Sequence, residues 1–395
     1  MPTHRLPPPT PDALAHSRRL AEHIGARIAA EGPLPFARFM ELALYAPGLG
    51  YYSAGARKFG AAGDFVTAPE LGPAFAHALA HCLARAMAAL PDWELLEAGG
   101  GSGALAADLL LALQALDALP RRYLLLEVSA DLRERQQATL AQRCPDLAAR
   151  VHWLDAPPDR PWRGALVANE VIDALPATRF LLREDGLFEL CVGGGADGFH
   201  WVERPAPDTL RALLRERLGE DLDALPRPYC SEVHGTLAPW LAALTGQLAQ
   251  GLALFVDYGY PRPVYYSPER SDGTLVCHYR HHAHGDPFFL PGLQDITAFV
   301  DFTAVAEAAR ACGLEVLGYT PQAQFLLGND IAAFLARLDG LPFAERLVQV
   351  NAVKMLMLPG QMGERFQVMA LGRGVEAHTL CGFDTDLRYQ LQARP

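Results

Sequence analysis

No stretch of this 395-residue chain approaches the ~18 uninterrupted apolar residues that a membrane helix needs. The richest run, around Leu109–Leu119, is broken by Gln114 and Asp117, which excludes a membrane span. A basic excess is lacking too: 34 Lys and Arg face 45 Asp and Glu, a formal charge of −11. A general nucleic-acid binder needs a basic face to neutralise phosphates, so nucleic acid is not an expected partner. The seven cysteines (82, 144, 191, 230, 277, 312 and 381) are scattered, with no CxxC pair and an odd total. That excludes a disulfide framework or a zinc knuckle and points to reduced thiols, with the cytoplasm as the expected compartment. The opening MPTHRLPPPTPDALAHSRRL has no apolar core for secretion. Arg5, Arg18 and Arg19 leave an organelle-import peptide as the alternative, against which Asp12 and the prolines count. Repeats at solenoid spacing and long low-complexity tracts are also missing. What is present, 50% hydrophobic and 20% charged residues, is ordinary globular composition, long enough for two or three domain-sized units.

The middle of the chain alternates β-rich runs with helical stretches. WELLEA (93–98), YLLLEV (123–128), VHWLD (151–155) and ALVANEV (165–171) read as strands. Between them lie a helix over 105–119 and a polar, Gln- and Arg-rich helix over 130–143. ALFVDYG (253–259) follows as a strand. VKMLMLP (353–359) and RFQVMALGR (365–373) read as a hairpin through Pro359, Gly360 and Gly363. Strands alternating with helices predict an α/β fold, a mostly parallel Rossmann-like sheet covered on both faces. We expect that sheet over 93–177 and 251–375, an N-terminal helical cap over 1–92 and an inserted α+β segment over 178–250. Such sheets bind ligands beyond the carboxyl ends of their strands.

Glu97-Ala98-Gly99-Gly100-Gly101-Ser102-Gly103 ends the first of these strands and opens a helix. Glycines there permit positive φ and let the backbone approach a ligand, and the helix N-terminus offers free N–H groups. As letters, Gly99-x-Gly101-x-x-Ala104 also fits a dinucleotide fingerprint, so a nicotinamide oxidoreductase and a bare tight turn are the alternatives. Glu97, two residues before the first glycine, suits an S-adenosylmethionine loop better than a pyrophosphate turn. Glu127, ending the next strand, can accept from both ribose hydroxyls, as such acids do in NAD sites as well. Trp153 and Asp155, ending the third strand, can flank an adenine, the ring stacking and the carboxylate accepting from the exocyclic amine. Asn169-Glu170-Val171-Ile172-Asp173-Ala174-Leu175-Pro176 ends the fourth strand, where an amide and two carboxylates can hold a cationic or amine nucleophile. The competing reading is that Asn169 caps a helix whose first turn carries the acids.

Asn-Glu-x-x-Asp-Ala-Leu-Pro, with Gly63-Asp64-Phe65-Val66-Thr67-Ala68-Pro69-Glu70, resembles the MidA-like methyltransferases. Pro47-Gly48-Leu49-Gly50-Tyr51-Tyr52, Asp257-Tyr258-Gly259 and the run from Pro291 to Phe302 carry the same resemblance, which extends from about Pro33 to Arg373. That family includes the mitochondrial protein-arginine methyltransferase that assists assembly of respiratory complex I. This chain departs from it at Gly100, where the family loop has Pro, and at Phe299, where some relatives carry His. The resemblance implies a class I methyltransferase sheet with an antiparallel last strand, binding S-adenosyl-L-methionine. It implies that Gly99, Gly101 and Gly103 approach the cofactor and that Glu127 binds its ribose. The segment 63–70 would fold over it as a lid, with Asp64 and Thr67 as polar contacts. The acceptor implied is an arginine side chain of a protein, a complex I subunit among the candidates. Glu170 and Asp173 would fix its guanidinium through paired N–H···O bonds, with Asn169 beside them and Glu70 as a further contact. A homodimer is compatible with the resemblance. The alternatives are a small-molecule acceptor and a scaffold that keeps the cofactor fold but only holds a partner.

Cys277-His278-Tyr279-Arg280-His281-His282-Ala283-His284 places four histidines and a thiol within eight residues. Consecutive histidines in an extended segment point to opposite sides, and the sequence offers no second ligand cluster, so no metal is expected. We read the stretch as a polar loop at the site mouth in which His278 or His281 contacts substrate. Asp295, Thr297 and Asp301 precede apolar runs and read as helix caps.

Overall fold

The computed structural model describes residues 6–53, 67–195 and 198–392. The chain forms two compact units: the described parts of Met1–Phe65, Asp173–Leu237 and Pro263–Phe299 in the first, and of Val66–Ile172, Ala238–Arg262 and Val300–Pro395 in the second. These limits cut across the expected cap of 1–92. The helix Ala74–Met87 belongs to the second unit because Phe75, Leu79, Cys82 and Leu83 pack into the same core as the sheet strands. The expected insertion of 178–250 is likewise divided, and Pro263–Phe299 joins its first part.

The second unit is built on a central sheet. Its seven main strands are β1 Glu94–Ala98, β2 Arg122–Leu126, β3 Val151–Leu154, β4 Trp162–Asn169, β5 Leu248–Tyr260, β6 Glu315–Pro321 and β7 Phe366–Arg373. Their order across the sheet is β6-β7-β5-β4-β1-β2-β3, with Val300–Asp301 pairing parallel to the end of β5. The five strands from β1 to β5 run parallel, and β7 is antiparallel to both β5 and β6. Every residue of β1 is buried, as a strand covered on both faces requires. Helix Ala104–Ala115 is apolar nearly all round and follows β1 without a side-chain cap. Helix Ala130–Arg143 starts where the Ser129 hydroxyl accepts from the Leu132 amide at 3.4 Å, and helix Phe302–Ala311 where Asp301 accepts from Ala304 at 3.1 Å.

The stretch 353–359 is not a strand. Phe343–Met357 is one helix that follows Pro342 and buries Ala352, Val353 and Leu356 on a single face. No glycine or proline interrupts it, so a helix of this length prevails over the β-like apolar run, and β7 pairs with β5 and β6 instead. Asp295 and Thr297 are not helix caps either. They lie in the strand Asp295–Thr297 of a three-stranded sheet in the first unit, paired with Val276–Tyr279, so only Asp301 caps a helix.

That first unit also holds an antiparallel sheet of Leu34–Pro35, Gly186–Gly195, Thr178–Arg183, Tyr229–Val233 and Gly198–Pro205. A core around Phe36, Phe39, Met40 and Val192 supports it. Among the described residues no helix is long and apolar enough to cross a membrane, and all seven cysteines are free thiols.

A buried charge pair lies in this unit. Arg179 and Glu232 face each other across two strands, Nε to Oε1 at 3.2 Å, and Glu232 has no exposure to solvent. Its other oxygen accepts from the Thr274 amide at 2.7 Å and hydroxyl at 3.0 Å. Burial raises the Glu232 pKa, against the pull of Arg179. Removing the cation leaves that carboxyl buried with no opposing charge. Arg179→Ala is therefore expected to lower stability by about 3–5 kcal/mol, read as a lower urea midpoint. An unchanged midpoint would show that the Thr274 bonds alone suffice.

Candidate active site

The carboxyl ends of the parallel strands carry the polar residues singled out in the sequence. After β1 the chain turns through Gly99 (φ 73°) and Gly103 (φ 82°), conformations that side chains resist. A Cβ at Gly99 would lie 2.9 Å from Val171 Cγ2, and one at Gly103 would lie 2.9 Å from Gln136 Cα. Gly101, at φ 51°, lies between them. The loop needs glycine for space as well as for backbone angle.

Glu97 is fully buried at the end of β1, where the Tyr123 hydroxyl donates to its Oε2 at 2.6 Å. Burial pushes its pKa up to about 7, opposed by the Tyr123 hydrogen bond and reinforced by the nearby charge of Glu127. Glu127 follows β2, buried, accepting from the Ser129 amide at 2.8 Å and from Gln136 Nε2 at 3.3 Å. Burial raises its pKa, and these hydrogen bonds oppose the rise. Trp153 donates from Nε1 to Gln136 Oε1 at 2.8 Å. Asp155 is largely exposed and holds Arg133 at 2.5 Å, while Arg133 also donates to the carbonyls of Glu127 and Leu154.

At the end of β4 no helix follows, so Asn169 is not a helix cap. The chain bends instead, with Glu170 at φ +53°, a strained angle for a glutamate. Asp257, buried at the end of β5, fixes this bend: its Oδ2 accepts from the Ile172 amide at 3.0 Å and its Oδ1 from the Tyr258 amide at 2.9 Å. The Glu170 amide donates to Val256 O at 2.9 Å. Asn169 Nδ2 donates to Glu170 Oε1 at 3.1 Å, and its Oδ1 is buried with no hydrogen-bond partner among the described residues.

Asp64 lies outside the described residues. Thr67 is buried just before the short 3-10 turn Ala68–Leu71, and Glu70 in that turn accepts a hydrogen bond from the Ser102 hydroxyl of the glycine loop. In the first unit, Asp173 is buried and its carbonyl accepts from the Ala298 amide at 3.0 Å. Tyr52 donates to Asp295 Oδ1 at 3.0 Å, and its pKa is raised by burial first, then by the charge of Asp295, with Tyr45 and Asp173 adding to it. The histidine stretch is not a loop. It is the hairpin of Val276–Tyr279 and His282–His284, turned through Arg280 (φ 46°) and His281 (φ 63°). His278 sits half-buried in its first strand, its pKa lowered by burial, and His281 is exposed at the tip.

Two residues carry more of this arrangement than the sequence suggested. Gln136 is the hub of the loop, and its signal was a polar residue on the buried stripe Leu132–Gln136–Leu140. Asp257 stood in the sequence only within the strand ALFVDYG and as part of the family resemblance, and the amide it holds is 85 residues away. A cluster of metal-type donors, His77, His81 and Asp330, also escaped notice, with its ligand atoms within 4.8 Å of one another. Arg337 Nη2 lies 2.9 Å from His77 Nδ1, and this fixed cation against the ring opposes a metal there.

Comparison with known proteins gives concordant matches. Residues 78–320 fit the model of a family described as "Putative S-adenosyl-L-methionine-dependent methyltransferase". The Drosophila melanogaster "Protein arginine methyltransferase NDUFAF7 homolog, mitochondrial" is 30% identical over 95% of this chain and 91% of its own. Its Danio rerio counterpart is 28% identical over 90% and 87%. A Burkholderia thailandensis crystal structure bound to S-adenosyl-homocysteine superposes with a TM-score of 0.88 at 44% identity, covering 94% of this chain and 96% of that one.

The Glu97 carboxyl makes the strand-end cluster sensitive to pH. Its folded pKa of about 7 stands above the ordinary 4.5, so the folded chain holds the proton more tightly than the unfolded chain. That contribution to stability is complete below pH 4.5 and is lost as the pH rises through about 7. Glu97→Gln, which keeps an acceptor for Tyr123, is expected to flatten this loss, worth on the order of 3 kcal/mol. Urea midpoints across that window are the measurement, and parallel curves for the two proteins would refute the assignment.

Proposed function

Because the chain belongs to this family of S-adenosyl-L-methionine-dependent methyltransferases, with their class I fold and S-adenosyl-L-methionine as cofactor, we propose that its methyl acceptor is an arginine side chain of a protein. The residues present fit the cofactor. The glycine loop has no Cβ at Gly99, Gly101 or Gly103, Glu127 ends its strand with a buried carboxylate, and Asn169 Oδ1 is buried without a partner among the described residues. Glu127 would take the ribose hydroxyls and Trp153 would lie against the adenine. Asp155 would meet the adenine amine only by sharing its carboxylate with Arg133. The N–H groups that open helix Ala104–Ala115 would receive the carboxylate of the amino-acid part. Thr67 would line the lid. The cofactor supplies a methyl group already activated on a sulfonium, so the protein needs chiefly to orient the acceptor and exclude water.

Arginine suits the carboxylates at hand. Glu170 and Asp173 would bond the guanidinium in pairs and draw its charge to the nitrogens that do not attack. Asn169 orients Glu170 through the bond at 3.1 Å, while Glu70, His278 and His281 complete the acceptor contacts in this reading. The observation that carries it is Glu170, a carboxylate kept at φ +53° by a buried aspartate; backbone strain of this kind collects at functional sites. The names of the Drosophila and zebrafish relatives support a protein acceptor, and the resemblance to the MidA-like family makes a complex I subunit the first to try. Seven free thiols suit a reducing compartment, and we place the reaction in the cytoplasm.

Two measurements test this reading. In calorimetric titration, S-adenosyl-homocysteine should bind the wild type, NAD should not, and Glu127→Ala should weaken binding tenfold or more, about 1.5–3 kcal/mol. With radiolabelled S-adenosyl-L-methionine and a cell extract, acid hydrolysis should release label as methylarginine. Glu170→Gln should slow that incorporation by roughly ten- to a hundredfold, with cofactor affinity nearly unchanged. Label on a small molecule, or on residues other than arginine, would overturn the acceptor assignment. Tight cofactor binding with no transfer to any acceptor would favour a scaffold.

A further inference from the structure

Asp295 has no part in the proposed acceptor site, yet it stands between two residues that do. It is 2% exposed, on the strand Asp295–Thr297 of the first unit. Strands avoid aspartate and buried acids are rare, so packing does not account for it. In the ladder with Val276–Tyr279 it lies directly opposite His278, and residues opposed in an antiparallel pair project from the same face. Its strand then runs on to Ala298, whose amide donates to Asp173 O at 3.0 Å.

Two tyrosines connect Asp295 to Asp173. The Tyr52 hydroxyl donates to Asp295 Oδ1 at 3.0 Å, and the Tyr45 hydroxyl donates to Ala174 O at 2.9 Å, one residue beyond Asp173. Their rings stack, with centroids 5.5 Å apart and 23° between the planes. The charges of Asp295 and Asp173 both bear on the Tyr52 hydroxyl. Together with the Ala298 bond these contacts close a ring through Asp295, Tyr52, Tyr45, Ala174, Asp173 and Ala298. The carbonyls of Asp173 and Ala174 each accept a hydrogen bond within it, so the backbone that carries the Asp173 carboxylate is fixed on both sides.

We propose that Asp295 is a further acceptor-binding residue, a carboxylate that receives the guanidinium together with Asp173, and that Tyr52 and Tyr45 are positioning residues for the two acids. The inference rests on arginine being the acceptor. A guanidinium offers five N–H donors and one carboxylate takes two of them in a fork, so a second carboxylate finds donors of its own. A planar fork can be gripped from two sides in this way, unlike the point charge of an ammonium. Tyr52 suits its task because it orients Asp295 Oδ1 as a neutral donor and brings no counter-charge.

The test is label transfer from S-adenosyl-L-methionine to protein arginine in a cell extract diluted in series, which gives the half-saturating amount of acceptor. Asp295→Asn should raise that amount about tenfold and Tyr52→Phe about threefold, each with the S-adenosyl-homocysteine affinity and thermal midpoint of the wild type. In the double variant, Tyr52→Phe should add little to Asp295→Asn, because the hydroxyl acts through that carboxylate. Unchanged half-saturation in both variants, with arginine still methylated, would overturn this inference and leave the arginine reading standing. Losses that come with weaker S-adenosyl-homocysteine binding or a lower midpoint in both variants would also overturn it and assign these residues to the fold alone. A wild type that labels no arginine brings down both readings.

Discussion

One buried amide holds the strand-end site in shape. Gln136 has no exposure to solvent, and three separate segments meet on its side chain. Nε2 donates to Gly101 O at 3.1 Å and to Glu127 Oε2 at 3.3 Å, while Oε1 accepts from Trp153 at 2.8 Å. An amide in such a place is costly unless its donors and acceptor are used, and here both donors and one lone pair are. The glycine loop, the carboxylate after β2 and the ring after β3 therefore cannot shift independently. The same residue explains a glycine: its Cα leaves no room for a Cβ at Gly103.

Around that amide, three buried carboxyls are accommodated in three ways. Glu97 holds its proton more tightly than usual, its pKa raised to about 7 by burial with a tyrosine hydroxyl as partner. Glu127 faces the amide of Ser129 and the side chain of Gln136, so its oxygens are oriented while lone pairs remain for hydroxyl donors. Asp257 is matched by two backbone amides, one on its own strand end and one beyond the Glu170 bend. Each solution serves a different need: a filled core beside the loop, a ready acceptor, and a fixed turn. The strain at Glu170 persists because Asp257 and the Val256 carbonyl both define the bend.

The sheet was legible wherever periodicity and end signals agreed. Helix 130–143 could be read from its polar, Gln- and Arg-rich run, and the acids at the ends of β1, β2 and β4 stood out because apolar runs precede them. Contacts between distant segments were not legible. Nothing in the sequence around Asp257 tells that it accepts from Ile172. Asn169 looked like a cap because a polar residue ahead of acids usually starts a helix, yet the chain here bends on into the strand Thr178–Arg183. The histidine hairpin was hidden for a related reason. Its two-residue turn has positive φ at Arg280 and His281, and without the usual Asn or Gly the turn carries no signature. Of the expected site residues, Asp64 alone falls outside what the structure describes.

The misread helix Phe343–Met357 and the exposed apolar patch have one cause. A helix that covers a core shows polar residues on its outer face, and that contrast is what reveals the 3.6-residue period. Here the outer face repeats Phe343, Leu347, Val348 and Met355, so the contrast is lost and VKMLMLP looks like a buried strand. A sequence that hides its helical period in this way is apolar on both sides. An element apolar on both sides is ordinarily buried on both. Among the described residues only the Ala352, Val353 and Leu356 side is buried, so the outer side keeps a core-like composition while open to solvent, and the sequence pattern reports that composition and not the burial.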